Sequence, residues 1–271
     1  MDGSVTRSFS ISNIGGSYKK DYYSKRVIFD SHCHSSYEII LVLTGKITVL
    51  IEGREYVAQP NHAVILPPFV YHSILGNGRG DYERINLCFG GSTVPPEIRT
   101  EFAARVREYP LFVGEENARI FSLMRKMICE ENSERFVPLF RAELTRLFYM
   151  ISDGDVKGES VADDEADDTC AKIISYINEN IESRITLDDI SRRLFLSKST
   201  VCHVFKDKMK ISVKQYILQK KMSYATAQLR DGMPAGEVAK RVGYDNYVNF
   251  YNIYKKTTGV TPGEVKSAAN E

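Results

Sequence analysis

Histidines and acids in the first third of the chain fall at spacings that could do chemistry: His32-Cys33-His34-Ser35-Ser36-Tyr37-Glu38, six residues more to Gly45, then Pro67-Pro68-Phe69-Val70-Tyr71-His72. In an extended segment side chains alternate, so His32, His34 and Glu38 share one face. With His72 they offer the nitrogen and oxygen ligands of a divalent transition metal. The same groups, joined by Tyr71 and Arg84, could instead hydrogen-bond a small organic effector, Arg84 pairing with a carboxylate if the ligand has one. In a third reading the imidazoles are structural and bond the backbone or Glu38. The residues leave all three open.

The elements that must hold these groups are short. Between residues 9 and about 90, β-rich runs alternate with turn residues: 26–30, 37–44, 46–52, 55–58, 63–66, 71–75 and 82–89. This predicts a sandwich or small barrel. Gly53-Arg54 predicts a type II′ hairpin turn, and Asn77-Gly78 with Arg79-Gly80 another tight loop. From residue 95 the period changes, and 95–109, 115–132 and 137–152 read as helices. Phe140, Leu144, Leu147, Phe148 and Ile151 form a stripe on the last. That stripe packs on its own domain or forms a dimer seam.

Residues 168–269 read as about seven helices. Ile173, Ile174, Ile177 and Ile181 mark the apolar face of the first. Thr186 and Asp189 predict a capped start for a short helix with Leu187, Ile190 and Leu194 inward. Phe195-Leu196-Ser197 connects it to a helix over 198–208, capped by Ser197, with Val201, Val204 and Phe205 inward. A long helix opens at Ser212 with Gln215 three residues on, carries Leu218, Met222, Ala225 and Leu229, and stops at Asp231-Gly232. The pattern then recurs. Pro234 starts a helix with Val238, Ala239 and Val242 inward, Gly243 stops it, and Asp245 caps the next, which turns Phe250 and Tyr254 inward. Thr261-Pro262-Gly263-Glu264 opens the last. Two short helices joined by a tight turn, twice over, are two helix-turn-helix units.

The second helix of each unit enters a major groove, and two units on one rigid helix reach successive grooves roughly 34 Å apart. Ser199, Cys202 and His203 on the first reading helix, and Val248, Asn249 and Asn252 on the second, lie away from the inward residues and are candidates for base edges. Neither set contains an arginine, and the asparagines suit adenine, which predicts an A·T-leaning preference under the second helix. Lys198, Lys206, Lys208, Lys255 and Lys256 are candidates for phosphates, which give affinity without sequence information.

Charge supports this division. The 271 residues carry a net +1, but residues 168–271 hold 17 Lys+Arg against 11 Asp+Glu (+6), leaving 19 against 24 (−5) for residues 1–167. The seam, 153–168, has eight acids against one lysine and reads as a solvated linker. Five widely spaced cysteines with no C-x-x-C pair indicate neither a disulfide framework nor a zinc ribbon. Nothing resembles a leader or membrane span, so the cytoplasm is the expected location. There is no Gly-rich phosphate loop, nucleophile motif or H-E-x-x-H.

The histidine string resembles the cupin motifs H-x-H-x3-E-x6-G and P-x-G-x2-H, although Asn61 and Phe69 stand where the second motif has glycines. Residues 168–268 look like the double helix-turn-helix domain of the AraC/XylS family of bacterial transcription regulators. The residues that carry the likeness are Leu194-x-Leu196-Ser197, Phe205-Lys206, Ala239-x3-Gly243-Tyr244, Phe250-x3-Tyr254-Lys255-Lys256 and Gly259-x-Thr261-Pro262. Departures are Lys210 for glycine, Tyr254 for phenylalanine, Val265-Lys266 for Tyr-Arg and His203 for arginine.

The resemblance implies an α+β multidomain chain. A cupin-like β-barrel with trailing dimerisation helices (1–152) precedes an acidic linker (153–167) and an all-α double helix-turn-helix domain (168–271). It implies a transcription regulator and not an enzyme, with no cofactor and no bound metal. Its partners are operator DNA, a small effector with sugar preferred, a second copy of the chain and RNA polymerase. The alternatives are a metal-dependent cupin enzyme, such as a dioxygenase or isomerase, and a metal-responsive regulator.

Overall fold

A computed structural model describes residues 5–11, 14–23, 27–28, 32–76, 80–108, 110–114, 116–130, 136–153 and 169–268. The expected linker beyond Asp153 and the loop at 77–79 lie outside them. The chain forms two compact units, one built on sheets and one on helices.

Among the described residues ten strands make two antiparallel sheets. The larger contains, in spatial order, β1 (Val5–Ile11), β2 (Ile14–Tyr23), β9 (Gly80–Phe89), β4 (Tyr37–Thr44), β7 (His62–Leu66) and β10 (Leu111–Val113). The smaller contains β3 (Val27–Ile28), β8 (His72–Gly76), β5 (Ile47–Ile51) and β6 (Arg54–Ala58). Ile40 and Val42 of β4 pack with Ile47, Val49 and Ile51 of β5 and Ile74 of β8, so the two sheets face each other. Ile39, Leu41, Ile85, Leu87 and Phe89 point the other way. They pack against α1 (Arg99–Glu108), α2 (Asn117–Glu130) and α3 (Phe136–Asp153). The larger sheet is covered on both faces, and residues 39–42 are accordingly an unbroken apolar run, wholly buried. No strand of one sheet pairs with the other among the described residues, so the domain is a double sheet without hydrogen-bonded closure.

The α3 stripe, Phe140 to Ile151, is spent in this core and forms no dimer seam; Val137 and Leu139 are the large apolar residues the helix leaves exposed. The hairpin between β5 and β6 differs from expectation. Ile51 pairs with Arg54, and both intervening residues are left-handed, Glu52 (φ 45°) and Gly53 (φ 84°), which makes a type I′ turn on Glu52-Gly53. Gly45 (φ 82°) closes the preceding turn, where any Cβ would stand 2.5 Å from the Asp81 carbonyl oxygen.

The helical unit contains α4 (Thr169–Glu179), α5 (Leu187–Leu194), α6 (Lys198–Met209), α7 (Val213–Arg230), α8 (Ala235–Arg241), α9 (Tyr247–Thr258) and α10 (Pro262–Ala268). Its starts are set locally. Thr186 and Asp189 form a reciprocal capping box, Ser197 accepts from the Thr200 amide, Ser212 accepts from the Gln215 amide, and Thr261 with Glu264 repeats the box. The cap of α9 is Asn246, not Asp245: its side chain accepts from the amides of Val248 and Asn249 at 2.8 and 3.2 Å. Lys210, at the usual glycine position after α6, is left-handed (φ 59°), as is Gly259 after α9 (φ 80°). Tyr254 is wholly buried and its hydroxyl lies 2.6 Å from Thr226 Oγ1. Because the Thr226 hydroxyl donates to the Met222 carbonyl, Tyr254 is the donor there.

The two helix-turn-helix units are tied across α7. The buried ammonium of Lys221 donates to the Ser183 carbonyl, in the turn after α4, and at 2.5 Å to the Val242 carbonyl that ends α8. Beside it Tyr224 donates to Glu182, which also accepts from Arg241 Nε of α8 at 3.1 Å. Burial lowers the Lys221 pKa to about 8.

Lys221→Met leaves two carbonyls without their donor and should cost roughly 1–3 kcal/mol at neutral pH. A depressed lysine pKa penalises the folded state fully below pH 8. That penalty lifts as pH rises toward the unfolded value near 10.5. The stability difference between wild type and Lys221→Met should therefore widen from pH 8 to 10 in urea unfolding curves.

Candidate functional site

The sheet domain and the helical unit each hold candidate residues, and residues 32–35, with His32 and His34, group with the helical unit. In the sheet domain, Glu38 begins the inward-facing row of β4, and β9 places Cys88 opposite Glu38, Asn86 opposite Ile40 and Arg84 opposite Val42. Glu38 Oε1 accepts from Asn86 Nδ2 at 2.7 Å, and Oε2 faces His72 Nε2 at 3.1 Å; both partners of that pair are buried. The turn Pro67 to Val70 delivers His72. Phe69 takes the left-handed third position (φ 67°), and Asn61 is left-handed too (φ 69°). Both departures from the cupin glycines thus keep the glycine conformation, at a steric cost for Phe69.

The Val70 carbonyl lies 3.0 Å from His72 Nδ1. A carbonyl only accepts, so Nδ1 carries its proton and Nε2 is the atom presented to Glu38. Nε2 meets the carboxylate either as the second N–H of an imidazolium or as a lone pair sharing a cation with it. The rings of His32 and His34 are 5.7 Å apart. Tyr71 is buried just before β8, and Arg84 is buried with its guanidinium 5.6 Å from the Tyr82 ring. Burial, reinforced by the Glu38 charge, pushes the Cys88 thiol up to about 12, so sulfur there stays protonated. Asn86 was not foreseen; its signal was parity with Arg84 along one strand.

In the helical unit, α6 buries Val201, Phe205 and Met209, with the Phe205 ring 5.2 Å edge-on to Tyr216 of α7. That leaves Lys198, Ser199, Cys202, His203 and Lys206 exposed on the opposite face. Likewise α9 buries Phe250 and Tyr254 and exposes Val248, Asn249, Asn252 and Lys255, Val248 at 62 % although apolar. Lys198 is not a free cation: it pairs with Asp188 at 2.5 Å. Both ends of that pair are more than half exposed, so it adds only about 0–1 kcal/mol and opens readily.

The sequence matches two family models, an AraC-like ligand binding domain over residues 15–148 and a helix-turn-helix domain over residues 190–268. An uncharacterised HTH-type transcriptional regulator of Escherichia coli, YdiP, is 30% identical over 95 residues, 35% of this chain and 31% of its own. The Arabinose operon regulatory protein of E. coli is 27% identical over 107 residues, 39% of this chain and 37% of its own. The aligned part thus spans about a third of each relative. A crystal structure of ToxT from Vibrio cholerae aligns over 93% of this chain and 96% of its own, at 14% identity and a TM-score of 0.42. No helix among the described residues is long and apolar enough to cross a membrane.

Glu38→Ala removes the acceptor for Asn86 and the partner of His72 and should destabilise the protein by ~2–4 kcal/mol. Glu38→Gln keeps an oxygen for Asn86 and turns an amide toward the Nε2 lone pair, so it should recover most of that loss. Thermal denaturation of the two variants checks the ranking.

Proposed function

The chain belongs to the AraC family of DNA-binding transcription regulators, with a ligand-binding domain ahead of its helix-turn-helix region, and from that premise we propose that it reads operator DNA through the exposed faces of α6 and α9. Residues 1–152 sense, residues 168–271 bind DNA, and 153–167 joins them. The observation that carries the reading is the duplicated build. Each reading helix is anchored by one aromatic-lined face and presents polar side chains on the other. Ser199, Cys202, His203, Val248, Asn249 and Asn252 meet base edges; Lys198, Lys206 and Lys255 meet phosphates. The protein acts in the cytoplasm as a homodimer beside RNA polymerase and is not an enzyme.

The sheet domain binds a small organic effector among His32, His34, Glu38, Tyr71, His72 and Arg84, and effector binding shifts the affinity for DNA by favouring one state of the protein. A sugar is the preferred class, with support from a relative named for an arabinose operon. A second reading, a metal-responsive regulator, has its own support in the buried Glu38–His72 pair and the His72 Nδ1 proton anchored on a backbone carbonyl.

Asn252→Ala should weaken the preferred duplex by ~1–3 kcal/mol and relax one base position, measured by fluorescence anisotropy; equal weakening on a scrambled duplex overturns the assignment. A sugar that binds the sheet domain should raise the melting temperature of the metal-free protein. If the purified protein instead holds one divalent transition metal per chain, lost in Glu38→Gln, the second reading replaces the first.

A further inference from the structure

Between the two helix-turn-helix units lies a cleft of about 560 Å³ that shares only Lys198 with the exposed faces of α6 and α9. Its walls are residues 184–188 leading into α5, Lys198 at the start of α6, the first half of α7 from Lys214 to Lys221, and Val242 to Tyr244 ahead of α9. Four of its lining residues are cationic, Arg184, Lys198, Lys214 and Lys221, against one acid, Asp188. Two of these cations are engaged: Lys221 by the Ser183 and Val242 carbonyls, Lys198 by Asp188. Arg184 and Lys214 are exposed and make no hydrogen bond or ion pair with another described residue.

The position of the cleft says what such cations face. It is bounded by the N-terminal end of α6 on one side and the turn into α9 on the other. In a helix-turn-helix the N-terminal residues of the reading helix point at the bases. With α6 and α9 seated in successive major grooves, the cleft would face the stretch of duplex between the two major-groove segments. No base edge is offered to a protein there except across a minor groove, and what comes nearest is the sugar-phosphate backbone. The 18-residue α7 spans about 27 Å, which fits inside the roughly 34 Å between successive grooves, and its first half forms one wall of the cleft.

We propose that this cleft is a binding site for phosphate groups of the DNA backbone between the two grooves, held by Arg184 and Lys214 and, once it leaves Asp188, by Lys198. The inference rests on the reading that α6 and α9 enter successive major grooves. It adds two contacts outside both reading helices and gives Asp188 a role as a brake, since the acid competes with phosphate for Lys198. Contacts to phosphate carry affinity and salt dependence but no sequence preference.

The test uses the full chain, a preferred and a scrambled duplex, and a salt series. Arg184→Ala and Lys214→Ala should each weaken both duplexes by the same factor and flatten the slope of log affinity against log salt by about 0.9. Arg184→Lys and Lys214→Arg should restore the slope, and Asp188→Asn should tighten both duplexes. Neutral methylphosphonate linkages in the central backbone should weaken the wild type by a larger factor than the Arg184→Ala/Lys214→Ala double variant, which keeps only Lys198 for those phosphates. Unchanged affinity and slope in variants that melt like the wild type would overturn the proposal, as would a loss confined to the preferred duplex. If the double variant loses only calorimetric binding of inorganic phosphate, the cleft is a free-anion site and the DNA assignment is wrong. A wild type with no preference for any duplex fails the underlying reading. A wild type whose preference depends on Asn252 but not on Arg184 or Lys214 fails this inference alone.

Discussion

The DNA-binding half depends on one buried ammonium. Lys221 sits near the middle of α7 and reaches the Ser183 carbonyl of the first helix-turn-helix unit and the Val242 carbonyl of the second. A buried cation is costly unless its donors are used, and here the partners are carbonyls that would otherwise lack a donor. Gly243 makes room for this. A Cβ there would come within 3.1 Å of Lys221 Nζ, and its left-handed backbone (φ 82°) suits glycine. With Glu182 gathering Tyr224 and Arg241 alongside, the units are held by polar groups of fixed geometry rather than by apolar contact alone. Apolar surfaces tolerate sliding, whereas hydrogen bonds to backbone carbonyls hold donor and acceptor to a narrow range of distance and angle. A joint of this second kind fixes α6 and α9 relative to each other.

The sheet domain solves a different problem, keeping polar groups inside a hydrophobic double layer. Covering the larger sheet on both faces removes water from β4 and β9, and in that low dielectric Glu38 is held by named partners, Asn86 and His72. The same face of the sheet carries Arg84 and Cys88. On the outer face the carboxylate of Glu83 plays a structural part. Burial alone would raise its pKa, but the Tyr18 hydroxyl at 2.6 Å and the Arg125 guanidinium of α2 hold it below the ordinary value. One strand thus anchors a helix with one face and lines the candidate pocket with the other.

Much of this was legible in the sequence. The strands from β4 to β9 and the helices from α4 to α10 were expected close to where they lie, because alternation, apolar spacing and caps are short-range signals. The misses share a cause. Strands β1 and β2 are rich in Gly, Ser, Lys and Tyr and gain strand structure from pairing with each other and with β9. Strand β10 is three residues whose partner, β7, is far away in sequence. The hairpin turn was misassigned because one residue of register decides between Glu52-Gly53 and Gly53-Arg54. Asp245 and Asn246 are both good caps, and the backbone at Asn246 selected between them.

The sequence pattern anticipated Val201 and Phe205 of α6 and Phe250 and Tyr254 of α9 as buried, whereas Met209 joins the buried face of α6 and Val204 is only half-buried. Lys210 and Phe69 were visible as residues standing in glycine positions, and both keep the left-handed backbone. Only the tertiary structure set Asn86 on Glu38, spent the α3 stripe inside its own domain, paired Lys198 with Asp188, and gathered Arg184 and Lys214 into one cleft. Caps and stripes are set by interactions over three or four residues, which the chain encodes directly. A contact between side chains dozens of residues apart depends on sheet register and on how α5, α7 and α8 close on one another, and no local pattern carries that information.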